Sequence, residues 1–329
     1  MDIKTKFLGL DLNSPVIVGS SHLSTSLENI EKMEKSGAGA VVLKSVLEEE
    51  IICSNDKNHP NGGGFYGQSG ENYDYVKERF SSQGQDTDKY LEYIRTIKER
   101  FSIPVIASIS CTAFGGWVNF VQDIKDAGCD AVELNFFTIP SDTSISNESV
   151  EKFYNDTLLT LNRIGIPIMA KVGNYFTDMA KSIEHLSMTG VSAITLLSKT
   201  PYFDIDIDTK KVQQKIVLSS PSDLSLPLMW TSLLSKRISC DISATGGVCS
   251  SEDVIKLILA GATTVQVVSC LYRNGIEYIE TLNKDLLCWM EKQGYNYLED
   301  FRGTMAVENN NEAKNYPRMH YIKTFTNIR

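Results

Sequence analysis

Two lysines in this chain stand where a lysine is expensive. Lys44 follows the apolar run Ala40-Val41-Val42-Leu43, and Lys171 follows Pro167-Ile168-Met169-Ala170. An ammonium beside a buried strand needs a partner anion or a lowered pKa, or it must reach solvent along its stem. Other polar and small residues occupy the same relative position at the ends of further apolar runs. Gly19 and Ser20 follow Pro15-Val16-Ile17-Val18, and Asn135 follows Ala131-Val132-Glu133-Leu134. Gly246 and Gly247 follow Asp241-Ile242-Ser243-Ala244-Thr245, and Ser269 follows Thr263-Thr264-Val265-Gln266-Val267-Val268.

Each group suggests a chemistry. Two cations in one pocket suit an electron-rich ligand. Lys171 could stabilise the negative charge that builds on a reduced flavin ring, and Lys44 could bridge cofactor and substrate. A Schiff base on one lysine is the competing chemistry. Adjacent glycines let a backbone approach a ligand and offer N–H donors. The stretch from Ser250 that follows Gly246-Gly247 reads as a helix start, whose dipole favours an anion. That pair therefore reads as a phosphate site, against the plainer possibility that the glycines relieve crowding in a tight turn.

The elements that would position these residues are legible as a repeat. Eight short, nearly continuous apolar runs start at Pro15, Ala40, Pro104, Ala131, Pro167, Ser192, Asp241 and Thr263. Continuous apolar runs are the mark of parallel strands buried on both faces. Amphipathic stretches separate them, several ending in glycine just before the next run, as αβ connections do. The expected fold is α/β, a (β/α)8 TIM barrel, in which the C-terminal strand ends form the active-site face and the loops after strands seven and eight often hold phosphate. The two longest separations predict insertions after strands two and six, at about 46–85 and 200–223. The second alternates Phe203-Ile205-Ile207 and Val212-Ile216, the pattern of a β-hairpin. Both should overhang the mouth, as functional loops or lids, or as a cap or subunit contact. A polar, aromatic extension at about 296–329 should pack on the barrel exterior or be partly mobile. One domain over 1–329 is expected.

Composition narrows the function. The chain has 329 residues, 42% hydrophobic, with a formal net charge of −9. That balance argues against a nucleic-acid partner, which needs a basic surface. No run approaches the roughly 18 apolar residues of a membrane span, and Met1–Ser14 lacks a secretory apolar core, so a cytoplasmic protein is expected. Seven cysteines, an odd number with no CxxC, read as free thiols. None of the four histidines has metal-ligand spacing to another His or Cys.

With these residues in place, the chain resembles the soluble, class 1 dihydroorotate dehydrogenases and their dihydroorotate dehydrogenase-like branch. The resemblance runs from Leu8-Gly9-Leu10-Asp11 through Ser243-Ala244-Thr245-Gly246-Gly247 to Tyr272-Arg273-Asn274-Gly275, and the last part is the most specific. It implies an FMN-dependent (β/α)8 barrel that oxidises dihydroorotate to orotate in pyrimidine synthesis. It places Gly19, Ser20, Lys44, Ser45 and Asn135 against flavin and substrate, and Lys171 on the pyrimidine edge of the ring. It puts the phosphate on Gly246, Gly247 and the backbone of Val268 and Ser269. A homodimer is implied, and across the family the electrons pass to fumarate, to quinone, or to NAD through an iron–sulfur partner subunit. The N-terminus carries no membrane helix, which disfavours quinone.

Three departures stand out. The family's strand-four loop carries a Cys as general base three residues after the Asn, or a Ser in the membrane-linked class. Here Thr138 takes that place, and Pro140 is displaced by one. A hydroxyl has a high pKa and needs help to accept a proton. The Asn-x-Met-Gly-x-x-Asn segment after strand two is replaced by the Gly-, Asn- and Tyr-rich stretch around Gly64–Tyr75, and Ser198 replaces the Asn after strand six. The expected machinery is therefore Thr138 as base, with Lys44 and Asn135 orienting the substrate. The alternatives are an FMN enzyme for another small substrate, a Schiff-base barrel enzyme without flavin, and an FMN-binding sensor or partner protein that has lost turnover.

Overall fold

The computed structural model describes residues 1–56, 87–112, 117–136, 138–139, 141, 143–197, 202–215 and 217–327. Eight parallel strands form its centre: β1 (Val16–Val18), β2 (Val41–Val42), β3 (Val105–Cys111), β4 (Ala131–Phe136), β5 (Ile168–Val172), β6 (Ala193–Leu196), β7 (Asp241–Thr245) and β8 (Thr264–Val267). Each pairs with the next, and β8 returns to β1 through Val265↔Val16, which closes the ring. A helix connects each pair, so the expected (β/α)8 barrel is the fold observed. The helix Thr87–Arg100 is representative. It buries Tyr90, Leu91, Ile94 and Ile97 along one stripe, the spacing that a 3.6-residue period places on one face.

Alternation along the strands sorts the core into two compartments. Val16, Val18, Val41, Val105, Val132, Ile168 and Ile194 pack outward against the helices. Their neighbours Ile17, Val42, Ile106, Ala131, Met169 and Ala193 form a separate cluster inside the ring. Phe7, Leu8 and Leu12 complete that inner cluster. They come from an N-terminal antiparallel hairpin, Thr5–Phe7 with Leu10–Leu12, which closes the N-terminal end of the barrel. Its two-residue turn holds Leu8 at φ 55° and Gly9 at φ 77°, the positive-φ pair that matches hairpin twist.

Above this apolar floor the interior turns polar. Ser108, Glu133, Thr195, Ser243 and Thr264 are fully buried, and Gln266 nearly so. Barrel interiors are ordinarily filled by layers of bulky branched side chains. A polar layer between the floor and the C-terminal strand ends is a departure that asks for a purpose.

The second long connection does contain a hairpin, Tyr202–Asp206 with Lys211–Lys215. Phe203, Ile205, Ile207 and Val212 on it are all exposed, and the register opposes Ile205 to Val212 on one face. The first connection begins with Val46–Leu47, which pairs with β3, and a helix at Glu48–Asp56. That helix was not anticipated, because Glu-Glu-Glu-Ile-Ile-Cys-Ser-Asn-Asp has no apolar stripe; Ile51 anchors it in the core. Residues 57–86, including the Gly- and Tyr-rich stretch, lie outside the described residues, as do Phe137, Pro140 and Ser198. The tail buries Leu298 and Phe301, with Phe301 against Trp289 and Tyr295. It ends in the helix Asn310–Asn327, which flanks a cleft of about 500 Å³ against Leu228, Met229 and Leu259. Among the described residues, no helix is long and apolar enough to cross a membrane.

Candidate active site

Parallel register sets the expected residues side by side. Asn135 pairs with Lys171, Ser110 with Asn135, and Lys171 with Thr195. All share the parity of the inner cluster, so they point into the barrel at its C-terminal end. One residue pair below them on β4 lies Glu133, which the sequence reading passed over. The signal was available: a carboxylate in an otherwise apolar strand is costly unless paired.

Glu133 is paired four ways. Its Oε1 accepts from Lys171 Nζ at 3.4 Å and, more weakly, from the Ser108 hydroxyl at 3.5 Å. Its Oε2 accepts from Gln266 Nε2 at 2.8 Å and the Thr195 hydroxyl at 3.3 Å. The donors come from β3, β5, β6 and β8, so the carboxylate ties the barrel together across its axis. A chain of hydroxyls continues to the opposite wall. Ser108 Oγ is 2.7 Å from Ser45 Oγ, Ser45 Oγ is 3.0 Å from Ser20 Oγ, and the Ser45 amide donates to Ser20 Oγ. Ser20, Ser45 and Lys171 are thus brought into one network.

Lys44 adjoins the network without a direct contact to it. Its charge opposes the burial that pushes the nearby Glu50 carboxyl above the ordinary carboxylate range. Glu48, also buried, accepts from the backbone and hydroxyl of Thr112 just past β3.

Asn135 and Thr138 present a different picture. Asn135 Oδ1 is buried and has no hydrogen-bond partner among the described residues, and the same holds for Gln266 Oε1. Buried acceptors without donors are uncommon and call for an explanation. Thr138 Oγ1 is also shut off from solvent. It lies beside the Tyr154 hydroxyl, near enough to oppose the upward shift that burial imposes on that phenol, yet outside ordinary hydrogen-bond geometry. Tyr154 belongs to an aromatic cluster with Phe136, Phe153 and Phe176 on the helix side of the barrel wall.

At the end of β7, Gly246 and Gly247 have φ of +98° and +74°, which favours glycine at both. A Cβ on Gly247 would sit 2.1 Å from the Leu224 amide nitrogen. Crowding is therefore part of their explanation, and the turn is held open by the segment that packs on it. That segment is stitched to β8: Ser219 donates its amide to Ser269 Oγ, and Arg273 donates to the Ser219 carbonyl at 2.6 Å. Gly19 abuts the same region, since its Cβ would meet Val268 Cγ2 at 2.9 Å and Gln266 Oε1 at 3.2 Å. The helix Ser251–Leu259 begins just past this turn, and its Asp253 carboxylate folds back on the two residues before it, accepting from the amides of Cys249 and Ser250.

These features fit a flavin mononucleotide. Positive-φ glycines offer a turn for a phosphate, a lysine stands at the mouth, and the orphaned Asn135 and Gln266 oxygens await donors such as a flavin ring carries. Among the described residues, no group of three or more His, Cys, Asp or Glu could hold a metal ion.

Comparison with known proteins identifies the family. The family model for dihydroorotate dehydrogenase matches residues 2–290. The catalytic subunit of dihydroorotate dehydrogenase B (NAD(+)) from Thermoplasma acidophilum is 25% identical, covering 92% of this chain and 98% of that protein. The subunit of the same name from Pyrococcus furiosus is also 25% identical, over 92% of this chain and 98% of its own. The NAD-dependent dihydropyrimidine dehydrogenase subunit PreA of Escherichia coli K12 is 25% identical, over 99% of this chain and 82% of that protein. The chain belongs to the dihydroorotate dehydrogenase family, whose class 1 members are FMN-dependent oxidoreductases acting on CH–CH groups.

Proposed function

We propose that this protein binds FMN at the C-terminal face of the barrel and oxidises dihydroorotate to orotate. The observation that carries the reading is the row Ser110, Asn135, Lys171 and Thr195 at the strand ends, opening on the same mouth as the Gly246–Gly247 turn. Bound FMN supplies the hydride acceptor. Gly246, Gly247 and the backbone of Val268 and Ser269 hold its phosphate. Gly19 admits the ring by lacking a side chain, Ser20 and Ser45 donate to it, and Lys171 faces the edge where negative charge develops. Lys44 and Asn135 orient the substrate. Thr138 is the candidate base for the substrate's carbon-bound proton; with Oγ1 enclosed beside Tyr154, that role requires the loop to present it differently when substrate is bound.

A second reading keeps the flavin and changes the substrate to a neutral dihydropyrimidine. It is favoured by the altered residue at 138 and by the likeness to the dihydropyrimidine dehydrogenase subunit. An absorbance spectrum followed by anaerobic addition of each substrate separates the two. Bleaching by dihydroorotate supports the first reading, bleaching by dihydrouracil alone the second, and a colourless protein that takes up no added FMN overturns both.

The assembly follows the same reading. The relatives are named as subunits, two of them with NAD(+), which supports a partner subunit that carries electrons to NAD. The exposed apolar face of the hairpin Tyr202–Lys215 supports a homodimer, since such patches mark contact surfaces. A cytoplasmic location accords with both. Sedimentation of the wild type against Phe203→Glu tests the dimer.

A further inference from the structure

The enclosed carboxylate of Glu133 is not used by any step above. Ion pairs buried this deeply are weak contributors to stability compared with apolar packing, so its presence points to a task at the site. It holds Lys171, whose side chain is 12% exposed, while Glu133 itself is 0% exposed. Of the four donors on this carboxylate only Lys171 is charged; the other three are neutral side chains of Ser108, Thr195 and Gln266.

We propose that Glu133 is a positioning residue that sets both the place and the effective charge of Lys171 at the flavin ring. The inference rests on the placement of Lys171 at the flavin proposed above. A lysine stem has four rotatable bonds and its ammonium no preferred direction; the contact with Glu133 Oε1 gives it one. The same contact places a negative charge beside the ammonium. The ring therefore meets a compensated pair rather than a free cation, and its reduced, anionic form is stabilised less than Lys171 alone would achieve. The neutral donors from Ser108, Thr195 and Gln266 occupy the carboxylate's other acceptor positions without adding charge of their own.

The test uses the flavin-loaded protein and the variants Glu133→Gln, Glu133→Asp and Lys171→Met. The readouts are the two-electron midpoint potential and the affinity for sulfite, whose flavin adduct is anionic. Melting of each apoprotein reports folding separately. Glu133→Gln is expected to move the potential positive and to tighten sulfite about tenfold; for a two-electron couple a tenfold change corresponds to about 30 mV. Lys171→Met is expected to move both in the opposite direction. Glu133→Gln on the Lys171→Met background should move them back by less than it does in the wild type, since only the carboxylate's own charge is then removed and no lysine is left to be misplaced. Glu133→Asp keeps the charge but draws it back by a methylene, so a smaller positive shift is expected, and this variant carries the test if Glu133→Gln does not fold. Unchanged potential and sulfite affinity in the Glu133 variants, with Lys171→Met still effective, would overturn the inference. An ineffective Lys171→Met would instead overturn the underlying placement of Lys171.

Discussion

Lys171 Nζ and Glu133 Oε1 lie 3.4 Å apart on neighbouring strands, in a layer whose other buried side chains among the described residues, Ser108, Thr195, Ser243, Thr264 and Gln266, are neutral. The pair is asymmetric: Glu133 is enclosed, while Lys171 reaches the mouth. Removing the lysine thus strands a buried anion. Lys171→Ala should cost roughly 3–5 kcal/mol of stability, the range for breaking a buried pair from one side. Replacing both by Met and Leu should cost less. Denaturant unfolding of the single and double variants checks the order.

Thr138 offers a clean separation of catalysis from folding. Its hydroxyl has no regular hydrogen bond to lose, so Thr138→Ala should change stability by no more than about 1 kcal/mol. If it accepts the substrate proton, the rate of anaerobic flavin reduction should fall about 10²–10⁴-fold. Stopped-flow reduction beside a thermal melt distinguishes the cases, and an unchanged rate would send the search for the base elsewhere.

Gly247→Ala should lose both fold and cofactor. The added methyl would meet the Leu224 backbone at 2.1 Å, in a region of φ that alanine resists. A cost of at least about 1–3 kcal/mol follows from the conformation alone, and FMN retention should fall with it. Gly9→Ala makes a control: its φ is also positive, but nothing lies within 4 Å of the added methyl. Cofactor content after gel filtration reports the difference.

Glu50 gives a pH dependence with a definite sign. Burial, opposed by the Leu47 amide and the charge of Lys44, raises its carboxyl above the ordinary value of 4.5. A raised folded pKa means that its contribution to stability is fully present below the unfolded value and is lost as pH rises through the folded one. Glu50→Gln should therefore raise the melting temperature at pH 7 and change it less at pH 4. The opposite order would show that its charge is stabilising.

Thiol reactivity should follow enclosure. Burial pushes Cys270 up to about 11 and Cys129 and Cys240 up to about 12, and the same cause raises Cys111 well above the ordinary thiol value. Cys288 is exposed. Iodoacetamide on native protein at pH 8 should modify Cys288 first and spare these four until the chain unfolds, as peptide mass mapping would show.

The barrel was legible because its strands are written as apolar runs and its helices as stripes, and both signals are local. Lys44, Asn135 and Lys171 could be found for the same reason, since each breaks an apolar run at its end. Glu133, Ser108, Thr195 and Gln266 were not singled out, although each sits at the parity that faces inward. What unites them is the register between strands distant in the chain, and no local pattern encodes that. Thr138 shows the other limit: its position follows from counting, but the direction of its hydroxyl depends on Tyr154, which approaches from a helix. The N-terminal hairpin escaped because its strands are three residues each, and only packing on Ile17 and Met169 explains Phe7, Leu8 and Leu12.

That hairpin makes the barrel a cup instead of a tube. With Phe7 and Leu8 sealing the floor, whatever enters or leaves the interior, whether substrate, product or released proton, must use the one rim. Traffic through a single doorway is sequential, so a bound product obstructs the next arrival. Widening the floor, as Leu8→Gly would do, opens a drain that lets water reach the polar layer from below.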